Sequence, residues 1–304
     1  MIIDLRTTDA VLDAFDEYLH RTRGVCREVR HNYGRFVRAF LDAVFEGGEV
    51  DLGRIRVRHV VEFVSASTRR YRPSTVQLET SSLRSFFRFA RAVGARDDQL
   101  EDGVPSAPRR RLTLPRYLDT TQFAKLLASL DVASPRALRD RAILLCVARL
   151  ALRASEVARL RLEDIDWRNA TVHVVTRKTG HGALLPLPAD LGCALATYLQ
   201  HGRPGTKARQ VFVLHRQHVG APINRQLVGD AVDRALKHAG IDAPMRGANL
   251  LRHSLATDLL GHGATMKEIA DLFGHSSLGT TSIYASVDVS ALREVALPWP
   301  QVSS

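Results

Sequence analysis

Four short stretches in the second half of the 304-residue chain carry polar side chains that can act on a phosphate ester. They contain Arg153, Lys178, the pair Asn249 and Arg252, and the pair His275 and Tyr284. A guanidinium binds phosphate through two parallel N–H donors, an ammonium can release a proton, and a phenol oxygen can attack as a nucleophile. Taken one at a time, each stretch also has a simpler structural interpretation.

The arginine stretches show these alternatives. Arg153 lies among apolar residues at a predicted helix junction, so it either pairs with a nearby carboxylate such as Glu156 or waits for an anionic ligand. Asn249 and Arg252 are three residues apart and face one side of a predicted helix near its N-terminus, where free N–H groups favour an anion. Their alternative is an ordinary asparagine cap beside a surface arginine.

The other two stretches are equally open. Lys178 occupies the turn of a predicted hairpin and is either a solvated lysine or a proton donor, in a chain with 38 arginines and five lysines. His275 and Tyr284 are separated by a Ser/Gly/Thr-rich segment, which suits a tyrosine on a mobile element that is delivered toward a histidine. The alternative is a tyrosine that fills the core.

Composition limits the class of protein. The net charge of +11 predicts a polyanionic partner, and 45% hydrophobic residues predict a folded core rather than a disordered basic chain. Three cysteines without a C-x-x-C spacing argue against a disulfide framework and a zinc site. Acidic residues near the start argue against a signal peptide, and no stretch is apolar enough to span a membrane. We expect a cytoplasmic protein without metal, cofactor or membrane contact.

Residues 1–104 predict a helical domain, because apolar residues recur at helical spacing from Thr8 to about Gly94. Ser74 and Gln77 fit a capping box at the start of the last helix, and Gly94 fits its end. Residues 105–116 predict a proline-rich linker. Candidate phosphate contacts on this last helix and in the linker are Arg84, Arg88, Arg109, Arg110 and Arg111, although the linker run of three is also typical of a solvated loop.

Residues 117–304 predict a larger domain that mixes helices with a few strands. Asp119 or Thr120 can cap its first helix, and Ser134 before Pro135 can start the second. Strands are predicted at Ile165, 171–175 and 183–187, and a short one at 211–213. Further helices are predicted at 191–201, 225–238, 250–262 and 266–273. The fold class is therefore mainly α with a small antiparallel sheet.

In this order and with these intervals, the four stretches resemble those of the tyrosine recombinase (phage integrase) family. The most specific matches are the segment from Leu251 to Thr257 and the segment from Leu272 to Ser277 that leads to Tyr284. The resemblance implies a helical, SAM-like core-binding domain over 1–104, the linker 105–116, and an α/β catalytic domain over 117–304. It also implies double-stranded DNA as the partner, with the candidate arginines as DNA contacts.

The resemblance further assigns roles. Arg153 and Arg252 are implied as the catalytic arginines, Lys178 as the hairpin lysine, His275 as the His/Trp position and Tyr284 as the nucleophile. Two guanidiniums and an imidazole N–H can stabilise a charged phosphoryl transition state without a metal, and Lys178 can protonate the leaving 5′ oxygen. The implied activity is cleavage and rejoining of DNA through a covalent 3′-phosphotyrosine link, as in integration, excision or transposition of a mobile element.

One position departs from the family pattern. Asn249 stands where the family usually has histidine, and an amide cannot accept a proton at neutral pH. His253 lies about 100° away from Arg252 on the helix, so we do not expect its imidazole to act in place of the histidine that is missing at position 249. The departure keeps open an accessory DNA-binding subunit that works with a partner recombinase, and a type IB topoisomerase is a third alternative.

The resemblance also concerns assembly. It implies a homo-oligomer, with four copies on paired sites, or a hetero-oligomer with another recombinase. The segment from Val287 to Leu297 forms an apolar tail that either docks on a neighbouring protomer or folds back on its own domain.

Overall fold

The computed structural model describes residues 5–106, 117–129, 134–175, 182–243 and 245–274. Contacts divide the chain into two compact units, Met1–Arg111 (unit 1) and Leu112–Ser304 (unit 2). This division falls inside the stretch 105–116, for which the sequence predicts a linker. Each unit encloses its own cluster of buried apolar side chains, so each has the core that an independent domain needs.

Unit 1 contains the helices α1 (Thr8–Arg21), α2 (Arg27–Phe45), α3 (Val57–Arg70) and α4 (Pro73–Ala92). The predicted apolar stripe of α1 is confirmed, because Val11, Phe15 and Leu19 are buried. Phe15 meets Phe86 of α4 edge to face, with ring centroids 5.5 Å apart. Aromatic contacts of this kind join the helices into one core.

The two ends of α4 test the predicted boundaries. Ser74 does not cap the helix, which corrects the expected capping box: Arg72 is the N-cap and Pro73 occupies the first turn. Proline can take that place because its fixed φ suits a helix start and its missing N–H needs no partner there. The predicted end is confirmed, since α4 stops at Ala92 and Gly94 follows with a φ of +73°.

Unit 2 contains the helices α5 (Thr120–Ala128), α6 (Pro135–Leu150), α7 (Ala154–Arg159), α8 (Ala189–Thr197), α9 (Arg225–His238), α10 (Ala248–Gly261) and α11 (Met266–Leu272). Asp119 caps α5 in a reciprocal box with Gln122, and the Ser134 hydroxyl accepts the N–H of Ala137 at the start of α6, as predicted. None of the helices in the described ranges has the length and apolar character to cross a membrane.

A three-stranded antiparallel sheet interrupts these helices. Its strands are β1 (Ile165–Asp166), β2 (Thr171–Val175) and β3 (Gly182–Pro186), in the order β1-β2-β3. Val172 opposite Leu185 and Val174 opposite Ala183 form the core-facing side, which confirms the alternation read from the sequence. The expected hairpin turn with Lys178 lies outside the described residues.

Helix α6 is the centre of unit 2 and is buried on nearly every side. It also carries a buried ion pair, Arg139 with Asp140, whose Nη2 and Oδ1 atoms are 2.8 Å apart. Arg234 of α9 reaches the second oxygen of Asp140 at 2.7 Å. Because buried charges are tolerated only when paired, this contact holds α9 against α6 in one register.

Two predicted elements differ from the structure. Residues 211–213 do not form a strand; Val213 makes only an isolated bridge with Pro222, while Val211 and Phe212 fill the core. Burial in the core accounts for the apolar character of these residues. The sequence pattern could not distinguish such burial from pairing in a strand. The helix expected over 191–201 is α8 followed by a π-helical turn, Tyr198–Gly202.

Tyr198 and His215 form a polar contact that should make folding depend on pH. The Tyr198 hydroxyl lies 3.3 Å from His215 Nε2, and the two rings stack. Burial, followed by the charge of Arg139, lowers the pKa of His215. The unfolded chain therefore takes up the proton first, so the contribution to stability is present above pH ~6.5 and is lost as the pH falls below that value.

We therefore expect the urea midpoint of unfolding to fall when the pH is lowered from 7.5 to 5.5. His215→Phe keeps a stacked ring without a titrating group, so its midpoint should fall less over the same interval. His20→Gln, at an exposed position of α1, should behave like the parent chain. Equal decreases for the parent chain and His215→Phe would contradict this explanation.

Candidate active site

Arg153 is held where α6 ends and α7 begins. Ala151 ends α6 with a left-handed φ of +51°, and Arg153 is then the N-cap residue of α7. The carboxylate of Glu156 accepts the Arg153 backbone N–H at 2.8 Å and its Nη1 at 2.9 Å. The salt bridge between Arg153 and Glu156, which the sequence left open as the alternative to an anionic ligand, is therefore present.

That pair does not use the whole guanidinium. Arg153 Nη2 donates to the carbonyl of Gly274 at 2.9 Å, and the Arg153 side chain remains 32% exposed. The group is thus oriented from two sides and is still open to solvent on another. The salt bridge and a ligand-binding role do not exclude each other, because Glu156 fixes the position from which Arg153 would meet an anion.

Arg252 of α10 reaches the same place from another element. The residue is only 6% exposed, and its guanidinium carbon lies 4.7 Å from the centre of the Phe273 ring. Arg252 Nη2 also lies 3.5 Å from the Phe273 carbonyl. The surface-arginine alternative is wrong, since a buried guanidinium on an aromatic face is a positioned charge.

The turn that receives both arginines directly follows α11. Thr265 and Glu268 cap α11 reciprocally at its start, and Phe273 with Gly274 forms the turn at its end. Gly274 has a φ of +58°, and a β-carbon there would lie 3.5 Å from Arg153 Nη1. A residue with a side chain would be strained at this φ, so glycine lets the carbonyls of residues 273 and 274 face the two arginines.

Asn249 is exposed in the first turn of α10 and does not cap it. The N-cap is Gly247, with a φ of +79°, and its N–H donates to Asp233 of α9 at 2.8 Å. The alternative of an asparagine cap is therefore wrong, because α10 begins before Asn249. The Asn249 amide stays on the solvent side, one turn before Arg252.

His253 follows Arg252 on α10 and is half-buried. Burial, followed by the charge of Arg252, lowers its pKa, which favours the neutral imidazole. Lys178, His275 and Tyr284 lie outside the described residues, and so do Arg109, Arg110 and Arg111. Across the described ranges, no three His, Cys, Asp or Glu side chains gather as metal ligands would.

Unit 1 has a basic groove of about 220 Å³ between α1, α2 and α4, which we call the unit 1 groove. Its lining residues are Leu19, Arg23, Val25, Tyr33, Ser81, Arg84, Ser85 and Arg88. Three guanidiniums and three hydroxyls, with no carboxylate among them, make a surface that attracts phosphate oxygens.

The two predicted arginines of α4 serve the unit 1 groove differently. Arg88 is exposed, whereas Arg84 Nη2 donates to the carbonyls of Val104 at 2.9 Å and Pro105 at 3.1 Å. Arg84 therefore holds the chain where the predicted linker begins. Arg23 and Tyr33 were missed by the sequence reasoning, because a loop arginine beside Gly24 and a tyrosine within an apolar stripe give no separate signal.

Comparisons with known proteins agree with this arrangement. Residues 116–290 match the phage integrase family, and residues 12–94 match the phage integrase N-terminal SAM-like domain. The tyrosine recombinase XerD of Mycobacterium tuberculosis is 33% identical over 307 residues, which cover 96% of this chain and 97% of XerD.

Solved structures show the same fold at low sequence identity. The XerH site-specific recombinase bound to palindromic difH substrate has a TM-score of 0.75 at 17% identity, with 95% of this chain and 96% of that chain covered. A lambda integrase dimer bound to a COC′ core site has a TM-score of 0.71 at 17% identity, with 98% and 100% covered. The family models match both domains, and Arg153 and Arg252 both contact the turn at residues 273 and 274. The chain therefore belongs to the phage integrase family of tyrosine recombinases.

Proposed function

We propose that the chain is a site-specific recombinase that cuts and rejoins DNA through a 3′-phosphotyrosine link to Tyr284. The observation that carries this proposal is the convergence of Arg153 and Arg252 on the carbonyls of Phe273 and Gly274. His275 follows these two residues directly in the sequence. Two cations thus meet beside the segment that leads to the proposed nucleophile.

In the proposed reaction the Tyr284 oxygen bonds to phosphorus, and the bond from phosphorus to the 5′ oxygen breaks. Lys178 gives the departing oxygen its proton. Arg153 and Arg252, with the N–H of His275, stabilise the extra charge on the non-bridging oxygens. A 5′-hydroxyl of another strand then attacks phosphorus and returns its proton to Lys178, the phenolate leaves, and the phosphodiester is restored without ATP.

The two arginines contribute in different ways because their exposure differs. Arg153 has an open side through which a phosphate oxygen can approach, while Arg252 places its charge in a poorly hydrated position on Phe273. A charge in such a place acts more strongly than one in water. Their combined charge also favours the phenolate of Tyr284, whose ordinary pKa is near 10.

We further propose that the partner is double-stranded DNA and that several copies act together. The similar XerH structure holds a palindromic difH substrate, and the similar lambda integrase structure is a dimer bound to a COC′ core site. Exchange between two duplexes breaks four strands, and one tyrosine per strand means four copies on paired sites, either of this chain or of this chain with another recombinase.

DNA binding by unit 1 is assigned here to the unit 1 groove. Arg23 and Arg88 would bind the phosphate backbone, and Tyr33 could add a hydroxyl donor. Arg84 contributes charge while it holds residues 104 and 105. Nothing in the similarities favours an accessory subunit or a type IB topoisomerase over this reading.

Replacing the nucleophile should abolish the covalent intermediate. Incubated with its own recombination site carrying a nick near the scissile phosphate, the parent chain should form a protein–DNA adduct that survives denaturing electrophoresis. Tyr284→Phe should reduce this adduct by at least about 10³-fold, because no other group supplies the attacking oxygen. Tyr117→Phe, an exposed tyrosine of the same unit, is the matched control. An adduct formed by Tyr284→Phe would identify another nucleophile, and no adduct from the parent chain on a verified site would support the accessory-subunit alternative.

Restoring the family histidine should speed cleavage. Asn249→His places an imidazole beside the catalytic arginines, and general-base help is worth roughly 10²-fold when proton transfer limits the rate. The cleavage rate of the parent chain should rise with pH as the Tyr284 phenol ionises. The cleavage rate of Asn249→His should instead level off above the pKa of the new imidazole. Asn249→Gln keeps the amide and should show the parent profile. If Asn249→His cleaved at the parent rate, transfer of the phenol proton would not limit the rate of cleavage.

Removing a phosphate contact from the unit 1 groove should weaken binding for all sequences alike. Arg88→Ala should raise the Kd for duplex DNA by about tenfold and reduce the slope of log K against log salt by about 1. Arg58→Ala removes an exposed arginine of α3 outside the unit 1 groove and serves as the control. Fluorescence anisotropy over a salt series measures both quantities, and equal effects of the two variants would contradict the assignment.

A further inference from the structure

Phe273 contacts Arg252 with two different groups. Its carbonyl oxygen lies 3.5 Å from Arg252 Nη2, which is longer than an ordinary N–H···O bond, and its ring centre lies 4.7 Å from the guanidinium carbon. A hydrogen bond occupies one N–H donor, whereas attraction to a ring acts on the guanidinium charge as a whole. A phosphate oxygen can therefore take the place of the carbonyl without displacing the ring.

The Phe273 ring has a fixed position in unit 2. Phe273 is 2% exposed and belongs to a small cluster of buried apolar side chains with Ala151, Ala256 and Ile269. Close packing inside such a cluster leaves a ring few alternative orientations. The packed cluster, rather than Arg252 alone, therefore fixes the ring.

The same cluster connects the ring to the elements that carry both arginines. Ala256 lies one turn after Arg252 on α10. Ala151 lies two residues before Arg153, and its left-handed φ of +51° ends α6. A ring in one cluster with these two alanines lies where the two arginine-bearing elements meet. Phe273 can therefore hold the charge of Arg252 at a fixed place relative to Arg153.

Exclusion of water makes this contact strong. Arg252 and Phe273 are both buried, and the attraction between a cation and a ring is stronger in a desolvated place than at the surface. Unit 2 also contains a weaker contact of the same kind. The guanidinium carbon of Arg149 lies 5.7 Å from the centre of the Phe123 ring, and the Arg149 side chain is 40% exposed and pairs with Asp190 of α8.

We propose that Phe273 is a positioning residue whose π-electron density sets the rate of cleavage, because its ring holds Arg252 while the guanidinium N–H donors bind the scissile phosphate. The inference rests on the proposed function, because it gives the hold on Arg252 a consequence for cleavage. When DNA binds, a phosphate oxygen replaces the carbonyl contact, and the ring contact remains. Phe273 touches neither DNA nor the reacting atoms.

The test replaces ring hydrogens of Phe273 with fluorine, which withdraws π-electron density and changes the size of the ring little. Chains that carry 4-fluoro-, 3,5-difluoro- or 3,4,5-trifluorophenylalanine at position 273 are compared with the parent chain. The rate of adduct formation at saturating protein should fall stepwise, by about tenfold for three fluorines. The Kd for the recombination site should stay within about twofold of the parent value, because many backbone contacts supply the affinity. The melting temperature should not follow the rate.

The same three replacements at Phe123 are the matched control, because that ring also lies under an arginine but outside the active site. Rates for the position 123 series should stay within about twofold of the parent rate. A flat series at position 273, or equal decreases at both positions, would overturn the proposal. A rate that falls only in step with the melting temperature would reduce Phe273 to a structural group.

A second measurement follows the ring contact without requiring cleavage. In a Tyr284→Phe chain with 4-fluorophenylalanine at position 273, the fluorine NMR resonance should move when Arg252→Gln removes the charge from the ring. Adding duplex DNA with the recombination site should leave the resonance of the chain that retains Arg252 closer to its DNA-free position than to the Arg252→Gln position. Movement to the Arg252→Gln position would mean that DNA binding releases the ring, which contradicts the proposal.

The outcome is separable from that of the proposed function. If the parent chain forms an adduct that Tyr284→Phe lacks, the proposed function holds whatever the fluorine series at position 273 shows. If the parent chain forms none on a verified site, the proposed function fails, and the effect of Phe273 on its rate fails with it. The fluorine resonance still reports in that case whether the ring holds Arg252.

Discussion

The structure of unit 2 depends on bringing two guanidiniums, those of Arg153 and Arg252, to one turn. Two positive charges at short range repel, and the carbonyl dipoles of Phe273 and Gly274 offset that repulsion together with Glu156 and the face of the Phe273 ring. The surrounding elements follow from this requirement. Helix α6 ends at Ala151, before Arg153, so that Arg153 lies at the start of α7. Helix α10 begins after Gly247, so that Arg252 lies within the helix.

The supports of these two charges come from separate parts of the chain. Asp233 of α9 holds the N–H of Gly247 at the start of α10, while Asp140 of α6 holds α9 through Arg234. A path of hydrogen bonds thus leads from the central helix to the helix of Arg252. The carboxylates of Asp140, Glu156 and Asp233 thus offset part of the positive charge where the arginine-bearing helices of unit 2 meet.

Much of the secondary structure could be read from local patterns. The cap at Asp119, the start at Ser134 and Pro135, and the alternation of β2 agree with the sequence because each depends on neighbouring residues alone. The incorrect predictions depend on distant contacts. Gly247 caps α10 because Asp233 receives its N–H, and residues 211–213 are apolar because they fill a core. The double use of Arg84, as a groove wall and as a holder of residues 104 and 105, likewise needs the folded chain to be seen.

The turn at residues 273 and 274 has a consequence for selectivity. Its carbonyl oxygens occupy one hydrogen-bond position on each arginine, while the exposed side of Arg153 stays open. In the proposed site a phosphate oxygen can therefore reach the open side of Arg153 directly, but it takes the Nη2 positions only by displacing a carbonyl. A duplex brings additional contacts along its backbone, and their binding energy can be used for that displacement. We therefore expect a long polyanion to engage both arginines more fully than inorganic phosphate does.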